Sequence, residues 1–100
     1  MIKDINRTIH EPARQLILIY LSSADSVDFT YLKRETGMTQ GNLSSHLNKL
    51  EADGYIRSEK TFMNKRPLTI FRITDKGKNA FQEYVKEMHL YFSDLMGLVK

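Results

Sequence analysis

The chain contains no cysteine. That removes a disulfide framework, a thiolate metal site and a cysteine nucleophile together. No apolar run approaches the ~18–20 residues that span a bilayer, and the start, MIKDINRTIHEPARQ, lacks the continuous apolar core of a secretory signal. A cytoplasmic address with no membrane partner is expected. Proline and glycine are scarce, two and five residues, and no linker, repeat or low-complexity stretch divides the chain. Also missing are a glycine-rich phosphate loop, a nucleophile elbow and a close carboxylate–histidine pair; TDKGK lacks the P-loop spacing. Catalysis is therefore not expected. His10, His46 and His89 are widely separated, so neither a metal site nor a cofactor is expected.

What is present is ordinary in amount and uneven in placement. Of 100 residues, 41% are hydrophobic and 27% charged, a composition typical of folded proteins. One domain over 1–100 is expected, with a core and wing in 11–74 and a terminal helix in 75–100. Domains of this size are marginally stable and gain from pairing. Lysine and arginine total 15 against 12 acids, a net charge of +3. Between Thr30 and Arg72 the balance is +4, leaving −1 for the rest, so positive charge gathers in the middle of the chain.

Hydrophobic spacing gives the elements. Ile2, Ile5 and Ile9 are compatible with a short apolar-faced arm or helix. Pro12 suits a first helical turn, and Ala13, Leu16, Ile17, Tyr20 and Leu21 form one stripe, which predicts a helix over 11–24. SVDFT can make a short strand. Asp28 or Thr30 can cap the next helix, which Gly37 stops. Thr39 then caps a helix from Gln40 to about Asp53, stopped by Gly54. Two short helices joined by a glycine-containing turn match a helix-turn-helix. Beyond Gly54 the period shortens to two: residues 55–62 and LTIFRIT alternate as strands, with MNKRP between them as a turn built on Asn64 and Pro67. Thr74 or Asp75 caps a last helix. Its early Gly77 reads as a modest local penalty.

The order helix, strand, helix, turn, helix, hairpin, long helix is that of a winged helix: mainly α with a small β-hairpin, hence α+β. TQGNLSSHLNKLEADGYI followed by RPLTIFRITDKGKNAF resembles the winged-helix transcriptional regulators of prokaryotes, near the MarR and ArsR groups. Their pattern LSxHLxxLExxGYI is matched from Leu43 to Ile56, and the likeness extends over roughly residues 11–85. It implies a homodimeric DNA-binding regulator that pairs through terminal helices. The lack of cysteine departs from the thiolate sites of many ArsR-type metal sensors.

The residues support that implication in three places. On the 40–53 helix, Leu43, Leu47 and Leu50 fall within about 60° of one another. Opposite them lie Gly41, Ser45 and Asn48, flanked by Asn42, Ser44 and Lys49, with Thr39 and Gln40 at the N-terminus. Short polar side chains let a helix approach base edges, and asparagine, glutamine, serine and lysine can all read them. Lys65 and Arg66 at the hairpin tip form a basic wing for backbone or minor groove. Lys60, Thr69 and Arg72 on its stem, and Lys33 and Arg34 before the turn, are expected phosphate contacts. Phe81, Val85, Met88, Phe92, Leu95 and Val99, spaced 4, 3, 4, 3, 4, form a dimerisation seam that Tyr84, Tyr91 and Met96 widen. Helix 1 or the Ile2/Ile5/Ile9 arm can join it. The expected partner is double-stranded DNA bearing a near-palindromic operator. Blander readings remain: a solvated polar face, a seam folded onto its own domain, and His46 as a packed group rather than a base reader. Two other functions compete, a protein-interaction module and a non-specific architectural DNA binder. No residue cluster designates a small-molecule effector.

Overall fold

The computed structural model describes residues 4–98; Ile2 of the arm and Val99 of the seam lie outside them. The elements run α1 (Pro12–Ser22), β1 (Val27–Asp28), α2 (Phe29–Thr36), α3 (Gln40–Ala52), β2 (Ile56–Met63), β3 (Arg66–Ile73) and α4 (Asp75–Leu98). The three strands form an antiparallel sheet ordered β1-β3-β2. Mainly helical, with one hairpin and a long last helix, this is the expected winged-helix architecture.

Local chemistry sets the element ends. Glu11 caps α1 through the Arg14 amide, with Pro12 in the first turn, and Asp28, not Thr30, caps α2. Gly37 adopts φ 72° at the end of α2. Thr39 caps α3 by accepting from the Asn42 amide. At the other end of α3, the Tyr55 amide reaches Leu50 O and the Gly54 amide reaches Glu51 O. Gly54 has φ 79°, and the pair of bonds is a Schellman stop that needs this left-handed residue.

The core is built from one stripe of each helix. Ile17, Leu18 and Leu21 of α1, Leu32 of α2 and Leu43, Leu47 and Leu50 of α3 close over Val27, Ile56 and Phe71 of the sheet. Burying each of these side chains is worth roughly 1.5–3 kcal/mol, so the leucine stripe of α3 fixes which way its polar face turns.

Two expectations about the hydrophobic residues need correction. Ile9 is fully buried in this core and Ile5 packs against it, so these arm residues serve their own chain and not a dimer interface. Tyr84 is also internal, 7% exposed, its hydroxyl 2.7 Å from His10 Nδ1 and accepting from Gln15 Nε2 at 3.0 Å. Burial pushes its phenol pKa up, against the opposing Gln15 bond. The inward side of α4 is therefore Gly77, Ala80 and Tyr84, with Phe81 and Met88 half-buried at its edge. Val85, Phe92 and Leu95 stay exposed.

The helix carrying that exposed seam extends well past the core. Twenty-four residues make a rod of about 36 Å. The radius of gyration is 15.6 Å, against roughly 13 Å for a compact 100-residue domain.

Candidate nucleic-acid interface

The leucines of α3 face inward, so its other side faces solvent. Gln40, Gly41, Asn42, Ser45, Asn48 and Lys49 are all exposed, and Thr39 is exposed at the cap. Ser44 is half-buried at the edge of a crevice of about 190 Å³ that it shares with Phe29, Leu47, Asn48, Thr69 and Phe71. Lys49 reaches back to Asp53 at 3.6 Å. None of the exposed large apolar side chains among the described residues lies on α3.

Gly41 has no packing reason to be glycine. A Cβ built there meets nothing within 4 Å. Alanine in its place should raise stability by about 0.5 kcal/mol through helix propensity, measurable by thermal unfolding. The same change should weaken binding to any surface that approaches this turn closely. A fold destabilised by Gly41→Ala would mean that the glycine serves the chain itself.

The N-terminal segment holds α3 in place, a role the sequence did not reveal. Thr8 Oγ1 donates to Asp53 Oδ2 at the end of α3. Midway along, the Arg14 guanidinium donates to His46 Nδ1 at 3.2 Å, with Glu11 Oε2 at 3.6 Å from the same nitrogen. Arg14 is itself anchored to Thr8 O at 2.5 Å. The Thr8 hydroxyl, with smaller help from Lys49 and Lys76, holds the Asp53 carboxyl below its usual range despite burial. For Glu11, burial acts upward, but hydrogen bonds from the Arg14 and Ala13 amides and the neighbouring Arg14 cation outweigh it. Both carboxylates are thereby stabilised in their charged form. His46 is a packed, hydrogen-bonded group rather than a groove reader. These contacts join residues 32 and 45 apart, so no local pattern announces them.

The wing is a two-residue hairpin. Asn64 and Lys65 both have positive φ, 53° and 65°, the conformation of a type I′ turn whose twist matches the strands. Pro67 is not in the turn, as expected, but in β3 opposite Phe62. Because β1 pairs only with Ile70 and Phe71, β3 has an open edge at Pro67, where a missing N–H is tolerated. Arg66 opens β3 opposite Met63.

Strand alternation sorts the wing's two faces. Phe71 and Thr69 line the crevice with α3, so Lys60, Phe62 and Pro67, which share their face by register, also stand on the α3 side. Arg66, Leu68, Ile70 and Arg72 take the reverse face. Arg72 is committed there: Nε donates to Glu59 at 3.2 Å and Nη1 to Asp25 O at 3.0 Å. That corrects its assignment as a phosphate contact. Lys60, Lys65 and Arg66 are exposed. On α2, Lys33 is exposed, while Arg34 pairs with Glu35 at 3.3 Å and lies over the Tyr31 ring. A polar helix face, basic residues at the hairpin tip and Lys33 on the preceding helix are thus all exposed, with Phe62 and Pro67 exposed on the α3 side of the wing among them. Among the described residues no group of three metal-ligating side chains occurs, and no helix is long and apolar enough to cross a membrane.

Such a surface, on helices and a hairpin in this order, defines a winged-helix nucleic-acid-binding fold. The chain belongs to the winged helix DNA-binding domain family, whose model matches residues 13–92. It is 40% identical over 75 residues to an uncharacterized protein of Methanocaldococcus jannaschii, covering 75% of this chain and 82% of that one. Its fold is similar to that of a transcriptional regulator homologue from Pyrococcus horikoshii, with TM-score 0.83 and 27% identity over 90% of this chain and 89% of that one. A MarR-family transcriptional regulator of Enterococcus faecalis shares the fold at TM-score 0.75 and 20% identity, over 93% of this chain and 84% of that one.

Proposed function

We propose that this protein is a homodimeric transcriptional regulator that binds double-stranded DNA sequence-specifically from the cytoplasm, without catalysing a reaction. The single observation that carries the reading is the outward face of α3, exposed, uncharged at its centre and made of small side chains. Such a face fits a major groove, where Gln40, Asn42, Ser45 and Asn48 can reach base edges. The N-terminal amides of α3 favour phosphate. Lys33, Lys49, Lys60, Lys65 and Arg66 supply backbone contacts that fix position. A protein-docking module is disfavoured because the helix face carries no exposed large apolar group.

The test is selection of bound duplexes from a random pool at two salt concentrations. The expected result is a near-palindromic consensus with half-sites about 34 Å apart and affinity falling with salt at a log–log slope near −0.9 per neutralised phosphate. Recovery of no consensus would leave an architectural binder. Two variants separate the parts of the surface. Lys65→Gly relieves a left-handed non-glycine residue and removes one tip charge, so the hairpin should tighten while the salt slope shrinks by about 1. Asn42→Ala should instead change base preference, at a cost of roughly 1–3 kcal/mol at the affected position. Equal losses on every sequence would remove Asn42 from base reading.

A further inference from the structure

The wing carries more than charge. Phe62 is 73% exposed and Met63 60% exposed, and neither contributes to the core cluster. Large apolar groups this exposed on a small hairpin serve its stability little, since they bury almost nothing against their own chain. Their surroundings are basic. From Lys60 to Ile73 the sequence contains Lys60, Lys65, Arg66 and Arg72 and no acid, and of these only Arg72 is tied to a carboxylate. A patch that joins apolar side chains to uncompensated cations complements an anionic partner with an apolar interior.

The register selects between such partners. Phe62 and its cross-strand neighbour Pro67 stand on the α3 side of the wing, one step beyond the Lys60–Thr69 pair. Thr69 is the level at which the wing meets Ser44 and Asn48, so Phe62 lies about 7 Å farther out along the strand. With α3 in a major groove, that position overhangs the neighbouring minor groove. Met63 and Leu68 cover the reverse face, so the tip is apolar on both sides and cationic at its end. A narrow slot with a charged rim and stacked, apolar bases suits this shape.

Resting on the regulator reading above, we infer that the wing is a wedge: Phe62, backed by Pro67, inserts at a base step in the minor groove flanking each half-site and kinks the duplex there. Proteins that bend DNA from the minor groove push apolar side chains between base pairs in this way. Pyrimidine–purine steps unstack most easily, so Phe62 is a specificity determinant for flanking TA or CA steps that α3 never touches. A homodimer carries two wings and so makes two kinks.

The experiment uses a 40-base-pair duplex bearing the selected consensus, with 2-aminopurine beside the flanking step and a fluorophore pair on its ends. Wild-type protein should raise the 2-aminopurine emission roughly two-fold or more and shorten the end-to-end distance, as unstacking and bending demand. Phe62→Ala should abolish both signals and cost about 10-fold in affinity on TA-flanked duplex, with a smaller loss on a stiff A-tract flank. Because Phe62 is exposed, the variant should keep the wild-type melting temperature. Unchanged emission, bend and affinity for Phe62→Ala overturn the wedge while leaving the regulator reading intact. Failure of the wild-type protein to select any duplex overturns both. Loss of binding to phosphatidylserine vesicles in Phe62→Ala, with duplex binding unaltered, overturns the wedge in favour of a membrane-surface role.

Discussion

Gly77→Ala should cost about 3 kcal/mol or more, the upper range for overpacking a rigid site. For a chain of this length that corresponds to a fall of roughly 12–24 °C in melting temperature. A Cβ at residue 77 would lie 2.0 Å from the Tyr55 carbonyl oxygen and 2.9 Å from its carbon. Those are backbone atoms and cannot swing aside. The same carbonyl accepts the Thr74 amide at 3.0 Å, Thr74 Oγ1 donates to Gly54 O at 2.6 Å, and the Gly77 amide donates back to Thr74 Oγ1 at 3.0 Å. This knot welds the start of α4 to the start of β2. Forcing it apart would lose the α4 cap and tilt the helix that bears the exposed seam. Helix propensity alone predicts the opposite sign, since alanine in an open helical position stabilises by about 0.5–1 kcal/mol. Gly97, whose Cβ would meet nothing within 4 Å, is the control: Gly97→Ala should not destabilise. A Gly77→Ala variant as stable as wild type would mean that the joint is loose.

Gly77 marks the limit of what the sequence could tell. Signals confined to a few residues were legible: the leucine stripe of α3, the Thr39 cap, the glycine stops at 37 and 54 and the switch to period two after Gly54. Each is set by backbone geometry within one or two turns. Residues whose meaning depends on distant partners were not. Gly77 reads as a propensity penalty until the Tyr55 carbonyl is seen against it. Tyr84 fits the helical seam by spacing, yet its hydroxyl partners lie 69 and 74 residues away. Pro67 is a turn former by type, but the two-residue loop placed the turn at Asn64–Lys65 and left the proline on an open strand edge. Arg72 was assigned by charge; strand alternation separated it from Phe71, and only the packing of α3 shows which face that is. For the candidate surface, the chemical types were readable. Their commitments to other residues were not.

Phe92→Asp should convert the proposed dimer to monomer and lower operator affinity by at least about 100-fold, the scale at which linked binding exceeds independent binding. Phe92 is 55% exposed on α4 and Val85 is 52% exposed, and with Leu95 and Met96 they make an apolar band that the chain leaves uncovered. Phe81 and Met88 pack partly on their own core, so the partner's gain would come mainly from the exposed members. An aspartate at the centre removes a large aromatic contact and adds a charge that must be desolvated. Truncating such an anchor costs about 2–4 kcal/mol, and two-fold symmetry applies the loss twice. About 6 kcal/mol is more than four decades in the dimer constant. Core packing does not involve Phe92, so the monomer should stay folded, with circular dichroism unchanged. Sedimentation reads the mass and a titration of selected duplex reads affinity. A variant that stays dimeric would move the interface away from this face of α4. A monomer that keeps wild-type affinity would show that one α3 and one wing suffice, and that the palindrome is not what the protein reads.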